Sequence, residues 1–595
     1  MVEECLARLP EQLREVSALP GGTLPDEMPE TLLILWKKRA EEAAAMQLPA
    51  IYATDWLRYS RTGNRAEYES RYFPRRRRLT DLVCGALAGE PGLEDAILDT
   101  IWAICEETAW QLPAHNTYIR DTPSLEWPDP ERPIVDLFAA ETGGLLACAS
   151  NVLGKRLPGE AHRRVSREIE RRILTPYLHE HFWWMGNGEE PMCNWTTWCT
   201  QNVLLCALML PQTDEVRRAV IRRAAGSLDC FLKDYGEDGC CNEGAHYYNH
   251  AGLCLFGCLE LLCAAAPGAF DALWKEPKIR AIAAYIFRMH ISGPYYVNFA
   301  DCSPVIGRRG AREFCFARRT ENLPMAIFAA RDWKEGLAHP EPDADISRIN
   351  LWYQMIEAAA AEDMLNAAQQ SAPAAGDCFL SSAGVLRADR GSWQLAAKAG
   401  CNGDSHNHND TGSVILYRDG RPVLIDLGVE TYTQKTFSPQ RYEIWTMQSA
   451  WHNLPTFDGV MQEAGAQYAA SDVETRFEPQ RVSMKMELAG AWPKDAGLDS
   501  FVRTLTLTED GLKLHDACRG TYRSAFLSLL TCEKPVPEEN GLSLPGLAGL
   551  RIETDAGAPE IDCVEITDAR LHIAWPRFVY RIRIPFMSDV TVTVC

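Results

Sequence analysis

The chain has 595 residues, of which 46% are hydrophobic, 24% charged and 9% aromatic. This composition is typical of a globular protein with a large core, and it excludes a mostly disordered or fibrous chain. The formal net charge is −21, from 60 basic and 81 acidic residues. Because nucleic-acid binders usually present a basic surface, we expect no nucleic-acid partner. No window approaches the ~18 uninterrupted apolar residues of a membrane span, so we also expect no membrane partner.

The N-terminus and the cysteines predict a cytoplasmic protein. The first residues, MVEECLARLPEQLREVS, are charged and amphipathic, without the basic start and apolar stretch of a secretory signal. The 21 cysteines are odd in number, and many have apolar helical neighbours, which fits free thiols in a reducing compartment. Cys240-Cys241 and the Cys254/Cys258 pair match no common zinc spacing, and we interpret them as buried structural thiols.

Residues 1 to about 365 are predicted to be helical. Apolar residues recur there at helical spacing, and polar, Gly- or Pro-containing connectors separate the runs. The predicted helices are Thr31–Ala45, Gly92–Trp110, Pro133–Leu153, Ala161–Leu178, Trp195–Leu210, Asp214–Lys233, Ala251–Ala265 and Ile346–Leu365. No strict sequence repeat is present, which disfavours a solenoid of near-identical units, although helical hairpins can close into a ring without one. Twelve of the 17 tryptophans lie in this part; we assign some, such as Trp36, to the core and others to a sugar-stacking surface.

The pattern changes after Asn366–Asp377, a small, polar, Pro-containing segment that predicts a linker. Short runs of alternating or β-branched character follow, joined by turns, and they predict an antiparallel sandwich. The predicted strands are Phe379–Leu386, Trp393–Ala397, Ser413–Tyr417, Pro422–Asp426, Phe501–Leu507, Leu512–Ala517, Ala525–Leu530, Leu571–Ala574, Val579–Ile584 and Val590–Val594. The sequence therefore predicts two domains, a helical one over 1–370 and an antiparallel β-sandwich over 376–595.

The densest polar stretch is Gly403–Asp410, which reads GDSHNHND and precedes a predicted strand. Residues two apart in a strand point the same way, so His406 and His408 can share one side, with Asp426 delivered by the next strand. His452 follows in the segment SAWHN. Three imidazole or carboxylate ligands with an open position suit Zn²⁺, so this region predicts a metal or catalytic site. The competing interpretation is a polar turn with surface histidines.

A second constellation, Asp238–His250, combines two tyrosines, two histidines and a glutamate at a predicted helix start. Such side chains can face a cleft, and the competing interpretation is a helix cap with aromatic packing. Two further polar clusters, Asn194-Trp195 and His115-Asn116, stand at helix ends. Asn194 alone is a weak signal, because Asn is a common cap.

Arginines form three groups. The run Arg75–Arg78 and the helix-lining set near Arg171 and Arg172 are interpreted as solvated faces or as partners for the excess acid. A third set follows a loop-like segment with few acids and can present cations to an anionic ligand. Its members are Arg308, Arg309, Arg312, Arg318 and Arg319.

Together these elements resemble the heparinase II/III-like polysaccharide lyases, which include heparinases and oligo-alginate lyases. The resemblance is carried by three motifs: His406-x-His408-x-Asp410, Leu424-Ile425-Asp426-x-Gly428-x-x-Thr431-Tyr432 and Ser449-x-x-His452-Asn453. In the helical part, Asp238-Gly239 with Glu243 five residues after the Asp and a Tyr ten residues after it also looks like the family. The resemblance covers most of the chain. It implies an incomplete (α/α) toroid followed by an antiparallel β-sandwich, with the active site where the toroid cleft meets the sandwich.

The resemblance also implies catalytic residues. Asn194 would bind the uronate carboxylate, and His406 would assist carboxylate neutralisation or proton transfer. A tyrosine, Tyr247 or Tyr248, would serve as the acid, or as both acid and base; the Asp-to-Tyr spacing of heparinase III-like enzymes favours Tyr248. Family members often carry Asn-His where this chain has Asn194-Trp195, so a histidine base is missing there.

The resemblance further implies a structural metal, Zn²⁺ or a similar divalent ion, and no organic cofactor. His408, Asp426 and His452 would hold the ion, which would fix the sandwich loops. The remaining predicted site residues would contact the substrate; these are His115, Asn116, Trp195, His246, Arg312 and Arg441.

The predicted function is a polysaccharide or oligosaccharide lyase that cleaves uronic-acid-containing glycans, of glycosaminoglycan or alginate type, by β-elimination. The C5 proton of a uronate is poorly acidic while the carboxylate is ionised, and Asn and His hydrogen bonds to the carboxylate let charge move onto it. A tyrosine whose pKa is lowered by neighbouring cations can take that proton and return one to the departing O4. A cytoplasmic location would favour exo-type cleavage of short, imported chains.

Three alternatives remain open at this stage. A uronyl C5-epimerase of the same fold would abstract the same proton and return it to the opposite face. A metal-dependent hydrolase would be built on His406, His408, Asp426 and His452. A non-catalytic carbohydrate-binding protein would use the same surface without chemistry. In each case the partner is an anionic uronic-acid glycan, and a homo-oligomer is possible.

Overall fold

A computed structural model of the chain describes residues 1–19, 23–25, 28–120, 122–339 and 346–595. These residues form two compact units. Unit 1 comprises Met1–Asp234, Asn249–Ala283 and Arg308–Pro373. Unit 2 comprises Tyr235–Tyr248, Ala284–Gly307 and Ala374–Cys595. The strand-rich unit 2 therefore takes two short segments from the helical part of the chain.

Helices dominate the chain up to residue 367. In the described residues the α-helices, α1 to α14 in chain order, are Glu30–Ala45, Ala53–Thr62, Ala66–Leu87, Glu94–Cys105, Leu137–Leu153, Gly159–Ile169, Thr175–His179, Asn194–Leu208, Asp214–Asp234, Gly252–Ala265, Pro277–Arg288, Ala311–Arg319, Leu323–Ala338 and Leu351–Ala367. Helix α9 shows why such segments are helical: Asp214 and Glu215 occupy its first turn and Lys233 its last, which matches the helix dipole.

The core of unit 1 is built on α5, α8 and α10. Nearly every side chain of these helices is buried, because each packs against neighbouring helices on several sides. Two stretches of the described chain, Leu137–Arg156 and Tyr247–Ala265, are long and apolar enough to cross a membrane by length and composition alone. However, 83% and 78% of those windows are buried inside the structure, which is the behaviour of core helices.

Most predicted helices are found, and α3 is the main omission. It contains Arg75, Arg76 and Arg78, all of them buried, so the solvated-face interpretation of this run is wrong. The other interpretation, pairing with acid, is right for Arg76, which donates two hydrogen bonds of 2.7 and 2.5 Å to Glu107. A helix is predicted from the spacing of its apolar residues, so a helix whose buried face carries paired charged residues is not detected.

All described strands lie in unit 2. The strands, β1 to β21 in chain order, are His290–Ser292, Tyr295–Tyr296, Cys378–Leu380, Val385–Arg390, Trp393–Lys398, Cys401–Asn402, Val414–Arg418, Arg421–Leu424, Pro455–Phe457, Gly465–Ala469, Ser471–Glu478, Arg481–Glu487, Leu498–Thr508, Gly511–Gly520, Ala525–Thr531, Val536–Glu538, Gly541–Leu544, Ala548–Thr554, Glu560–Glu565, Phe578–Phe586 and Asp589–Val594. The pairings between them are antiparallel.

Three sheets make up the sandwich. An eight-stranded sheet has the order β11-β12-β13-β14-β21-β18-β17-β16. A five-stranded sheet, β3-β4-β5-β7-β8, and a four-stranded sheet, β19-β20-β15-β9, contribute to the same apolar cluster, which includes Trp393, Phe501 and Leu527. Burial alternates residue by residue along β13, as expected of a strand with one face on the core.

Several strands were not predicted, among them β12, whose burial alternates along the strand, and β11. Strand β11 was not predicted, because most of its side chains are exposed and several are charged. The predicted strand Leu571–Ala574 is wrong, since Leu571–Ile573 form a 3-10 turn. Apolar residues in a short turn and in a short strand give the same local pattern.

Asn453 joins three segments of the sandwich. Its amide nitrogen donates to the carbonyl oxygens of Val414, at 2.6 Å, and Ile425, at 3.0 Å, and its amide oxygen accepts from the backbone N–H of Leu530 at 2.7 Å. We expect Asn453→Ala to lower the free energy of unfolding by about 1–3 kcal/mol, because buried backbone groups lose their partners. Urea unfolding measures the change, with the exposed Asn540→Ala as control. An unchanged midpoint in Asn453→Ala would contradict this role.

Candidate active site and metal centre

The predicted site residues of unit 2 come from three separate stretches of chain. The segment Tyr235–Tyr248 supplies the tyrosines, the segment Ala284–Gly307 supplies Asp301, and the loops of the sandwich supply the histidines. The sandwich loops supply the four side-chain partners of the Asp301 carboxylate, and Tyr247 of the first stretch contacts two of these partners, His406 and Tyr432.

Asp301 is fully buried and accepts four side-chain hydrogen bonds. Its Oδ2 accepts from Nδ1 of His406 at 2.9 Å and from the hydroxyl of Tyr432 at 3.2 Å. Its Oδ1 accepts from Nε2 of His408 at 3.0 Å and from Nη2 of Arg441 at 2.5 Å. Burial alone would raise the pKa of Asp301, but the histidine hydrogen bonds and the Arg441 charge hold the pKa well below its usual range. Asp301 is therefore an ionised acceptor, and each of its four partners must donate a hydrogen.

The backbone around this carboxylate is strained. Ala300 and His406 have φ values of 64° and 55°, a region that residues with a side chain rarely adopt. The backbone N–H of Asp301 donates to the carbonyl oxygen of His406 at 3.2 Å. The two strained segments therefore hold each other, and such strain is characteristic of functional sites.

Tyr247 belongs to the same cluster. Its ring stacks on the imidazole of His406 with centroids 4.7 Å apart, and its hydroxyl lies 2.6 Å from that of Tyr432. Because Tyr432 donates to Asp301, Tyr247 donates to Tyr432. Burial, the neighbouring Tyr432 and the charges of Asp301 and Glu243 raise the pKa of Tyr247 well above its usual value. Tyr247 is thus a neutral phenol, suited to give a proton rather than to take one.

Tyr248 is placed differently. It is fully buried, and its ring lies 5.7 Å from that of Tyr285. The spacing argument that favoured Tyr248 over Tyr247 is therefore not supported by the geometry, which brings Tyr247 to His406. Two adjacent residues in a 3-10 turn point in different directions, so an error of one position exchanges a site residue for a core residue.

Two more predicted residues lie beside this cluster. Nε2 of His406 is 3.5 Å from Oε2 of Glu243, so the imidazole stands between two carboxylates. The ring of His246 meets that of Tyr247 edge-on at 5.6 Å. Arg441 was predicted to contact substrate, but its guanidinium is engaged with Asp301 and with the carbonyl oxygens of Asn407 and Thr436. It therefore anchors the loops around Asp301.

The predicted metal ligands come together. One ligand atom from each of His408, Asp426 and His452 lies within 4.8 Å of the others, and all three residues are buried. Nδ1 of His452 is bonded to Oδ2 of Asp426 at 2.8 Å. Nδ1 of His408 and Nε2 of His452 are buried and have no hydrogen-bond partner among the described residues. Two bare imidazole nitrogens beside a buried carboxylate fit a divalent ion such as Zn²⁺.

The loop after Asp426 supports this group. Gly428 donates its N–H to Oδ1 of Asp426 at 2.9 Å, and Asn298 donates to the Asp426 carbonyl at 3.0 Å. Gly428 has a φ of +75°, and a Cβ there would lie 2.7 Å from the carbonyl oxygen of Cys302. Only glycine fits at this position, which explains the glycine in the Asp426-x-Gly428 motif.

The other predicted site residues lie in unit 1. Asn194 is the first residue of α8 and is buried. The ring centroid of Trp195 lies 4.7 Å from that of His115 and 5.0 Å from that of Trp183. Nδ1 of His115 forms a hydrogen bond of 2.7 Å with Oδ2 of Asp136. His115 and Trp195 therefore belong to one aromatic group, and their role in substrate binding stays a prediction.

Two predicted substrate contacts in unit 1 are engaged by their surroundings. Asn116 is buried; its amide nitrogen donates to the carbonyl oxygens of Leu125 and Trp127, and its amide oxygen accepts from Gln111. Arg312 is also buried, with its guanidinium 3.9 Å from the Tyr353 ring centre and a hydrogen bond to a backbone carbonyl. Both side chains are engaged within unit 1, and their role as substrate contacts stays a prediction.

Sequence reasoning missed Asp301 and the role of Tyr432. Asp301 stands 105 residues before His406 in a segment without a recognisable pattern. Tyr432 was part of a matched motif but was given no function. The available signal for Tyr432 was its position just after Asp426-x-Gly428; for Asp301 the sequence holds none.

Comparison with known proteins gives the same architecture. Residues 372–561 match the family model described as heparinase II/III-like, C-terminal. Among curated proteins, none matches the sequence. A crystal structure of heparinase III is similar over 100% of this chain and 88% of that chain, with a TM-score of 0.60 and 13% identity.

Two further solved structures share the fold. A mutant heparan sulfate lyase from Pedobacter heparinus is covered over 88% of its length by 95% of this chain, with a TM-score of 0.54 and 11% identity. A mutant chondroitin AC lyase from Streptomyces coelicolor A3 is covered over 83% of its length by the whole chain, with a TM-score of 0.50 and 13% identity. These likenesses confirm the predicted fold class, an N-terminal incomplete (α/α) toroid followed by a C-terminal antiparallel β-sandwich. Residues 372–561 of this chain therefore match the heparinase II/III-like C-terminal family model, and the chain as a whole shares the fold of these solved lyases.

Proposed function

We propose that this protein is a lyase that cleaves a uronic-acid-containing glycan by β-elimination. The observation that carries the proposal is the cluster of Tyr247, His406 and Asp301. The neutral phenol of Tyr247 stacks on the imidazole of His406, and the Asp301 carboxylate orients that imidazole through a hydrogen bond. The heparinase II/III-like domain and the likeness in fold to heparinase III and chondroitin AC lyase support this substrate class.

The reaction moves one proton from C5 of the uronate to O4 of the departing sugar. The C5–H bond breaks, and its electron pair forms the C4=C5 double bond. The C4–O4 bond breaks, its electron pair stays on O4, and O4 takes a proton. The product carries a 4,5-unsaturated uronate at its new non-reducing end.

We assign the base to His406 and the acid to Tyr247. Nδ1 of His406 donates to Asp301, which leaves Nε2 to accept the C5 proton. The imidazolium that forms is stabilised by Asp301 on one side and Glu243 on the other. Tyr247, kept neutral by its raised pKa, gives its proton to O4, and the adjacent imidazolium then restores it.

Other parts of the proposal come from the resemblance. Asn194 binds the uronate carboxylate, and the aromatic group of His115 and Trp195 contacts a sugar ring. His408, Asp426 and His452 would hold a divalent ion, Zn²⁺ or similar, which would crosslink the loops of the sandwich, while the proton transfers are left to His406 and Tyr247. The partner is an anionic uronic-acid oligosaccharide or polysaccharide.

The first experiment mixes the full chain with heparan, chondroitin, hyaluronan and alginate oligosaccharides and follows ultraviolet absorbance. We expect a continuous rise with at least one of them, because only elimination creates the conjugated double bond. The His406→Ala chain is the control and should give no rise. A C5-epimerase would change the uronate without new absorbance, a hydrolase would release fragments without it, and a binding protein would do neither. Any of these outcomes would contradict the proposal.

A further inference from the structure

We propose that Asp301 is a positioning residue that fixes the protonated nitrogen of two histidines at once, His406 and His408. Through His406 it would orient the base of the reaction, and through His408 it would select the nitrogen offered to a divalent ion. The part that concerns turnover rests on the proposed function, whereas the part that concerns the histidine rings does not.

The two oxygens of the Asp301 carboxylate serve two different groups. Oδ2 faces His406, at 2.9 Å, and Tyr432, at 3.2 Å. Oδ1 faces His408, at 3.0 Å, and Arg441, at 2.5 Å. The Arg441 guanidinium pairs with this carboxylate at 2.5 Å, and a carboxylate in such an ion pair offers only acceptor oxygens, so both imidazoles direct an N–H at it. The carboxylate is fully buried, so water does not compete for these bonds.

For His408 the consequence is a choice of ligand atom. The hydrogen stands on Nε2, which leaves Nδ1 with a lone pair, and Nδ1 is the buried nitrogen that has no partner. His452 shows the complementary arrangement, with Nδ1 bonded to Asp426 and Nε2 without a partner. Carboxylates commonly fix the tautomer of metal-binding histidines in this way. We therefore infer that an ion would bind Nδ1 of His408 and Nε2 of His452.

For His406 the consequence is the direction of the free nitrogen. With Nδ1 held by Asp301, Nε2 points to the side where Glu243 and the Tyr247 ring lie. The positive φ of His406 and the bond from its carbonyl oxygen to the N–H of Asp301 hold the backbone in the same arrangement. Without Asp301, the nearest carboxylate to the ring would be Glu243, 3.5 Å from Nε2, and the hydrogen would be drawn to that nitrogen instead.

A simpler role would be a buried ion pair between Asp301 and Arg441 that only stabilises the loops. Such a role predicts a loss of thermal stability when Asp301 is changed, but it makes no prediction about which nitrogen of His406 or His408 carries the hydrogen. The ring tautomers therefore separate the two roles.

The deciding measurement is nitrogen-15 NMR of the histidine rings in the full, unsubstituted chain. The chain has 13 histidines, and the His406→Gln and His408→Gln chains assign the two signals. We expect hydrogen on Nδ1 of His406 and on Nε2 of His408, and we expect added Zn²⁺ to shift Nδ1 of His408. Hydrogen on Nε2 alone in His406, or a Zn²⁺ shift at Nε2 of His408, would overturn the proposal.

The second measurement uses Asp301→Asn, which keeps the shape but has only one acceptor oxygen. We expect a fall in kcat of about 10²-fold with little change in KM, and a loss of metal affinity of about 10–100-fold. Asp458→Asn, an exposed carboxylate of unit 2 that bonds only backbone and Ser524, is the control and should match the parent chain. Unchanged kcat and unchanged metal affinity in a folded Asp301→Asn chain would overturn the proposal.

The two measurements also separate failure of the two ideas. If no uronic-acid glycan is cleaved by the parent chain, the proposed function fails, while the ring tautomers and the Zn²⁺ shift still decide the role of Asp301. If Asp301→Asn does not fold by circular dichroism, the NMR of the parent chain decides alone.

Discussion

Replacing Tyr247 with phenylalanine is expected to lower kcat by about 10²–10⁴-fold, the usual contribution of general acid–base catalysis. The substitution removes one hydroxyl that donates to Tyr432 and leaves the ring that stacks on His406. The departing O4 would then leave without a proton donor. The measurement is the initial rate of unsaturated product formation, with circular dichroism to show that the chain is folded.

Tyr248→Phe is the matched control, because it makes the same change one residue away. Tyr248 is fully buried and packs near Tyr285, so we expect its loss of a hydroxyl to affect stability more than turnover. A large fall in rate for Tyr248→Phe with a normal rate for Tyr247→Phe would show that the acid is Tyr248. Normal rates in both variants would leave His406 without a tyrosine partner in the reaction.

If the three candidate ligands hold an ion, its removal is expected to destabilise unit 2 strongly. A ligand present at 100 times its Kd stabilises the folded state by about 2.7 kcal/mol, and a chelator would remove that contribution. His452→Ala deletes one of the three candidate ligands, so we expect it to abolish metal binding and to unfold at the same midpoint with and without chelator. Elemental analysis and thermal unfolding provide the two measurements.

The control for this variant is His515→Ala, a histidine on β14 that bonds Thr591 and lies outside the ligand group. It should keep both the metal and the effect of the chelator. The metal site would be contradicted if the parent chain is purified without any metal and, before chelator is added, already unfolds at the same midpoint as His452→Ala.

The metal should also bind more weakly as the pH falls. Burial lowers the pKa of His452, but the charge of Asp426 and the hydrogen bond to it raise the pKa above its ordinary value. A proton therefore competes with the ion for the His452 ring. The metal affinity rises with pH, because His452 loses that proton as the pH increases. Metal titrations at several pH values would show this trend.

The sequence was sufficient for the fold because its local patterns agree with the final burial. The helix α9 carries acids in its first turn and a Lys in its last, and one of its faces is apolar. The strand β13 alternates buried and exposed residues over its whole length. In the exposed strand β11 and the arginine-rich helix α3 the local pattern and the burial disagree, and the sequence did not reveal either element; the alternating strand β12 was also missed.

The grouping of the three candidate metal ligands could be predicted because their spacing along neighbouring strands and loops is short. His408 and Asp426 are 18 positions apart on either side of the hairpin of β7 and β8, and His452 follows closely. The sequence could not separate Tyr247 from Tyr248, because the direction of each ring depends on how its turn packs. Likewise, it could not show that Asn116 and Arg312 are buried, since both are polar residues in loop-like or charged surroundings.

By itself, then, the sequence determined the order of the two architectures, the residues that can bind a metal and the class of chemistry that these residue types support. Only the tertiary structure decided that Asp301 joins His406, His408, Tyr432 and Arg441. The reason is physical: a carboxylate 105 positions from His406 has no local pattern, and only folding brings it there. Burial then makes its four hydrogen bonds strong, since no water replaces them.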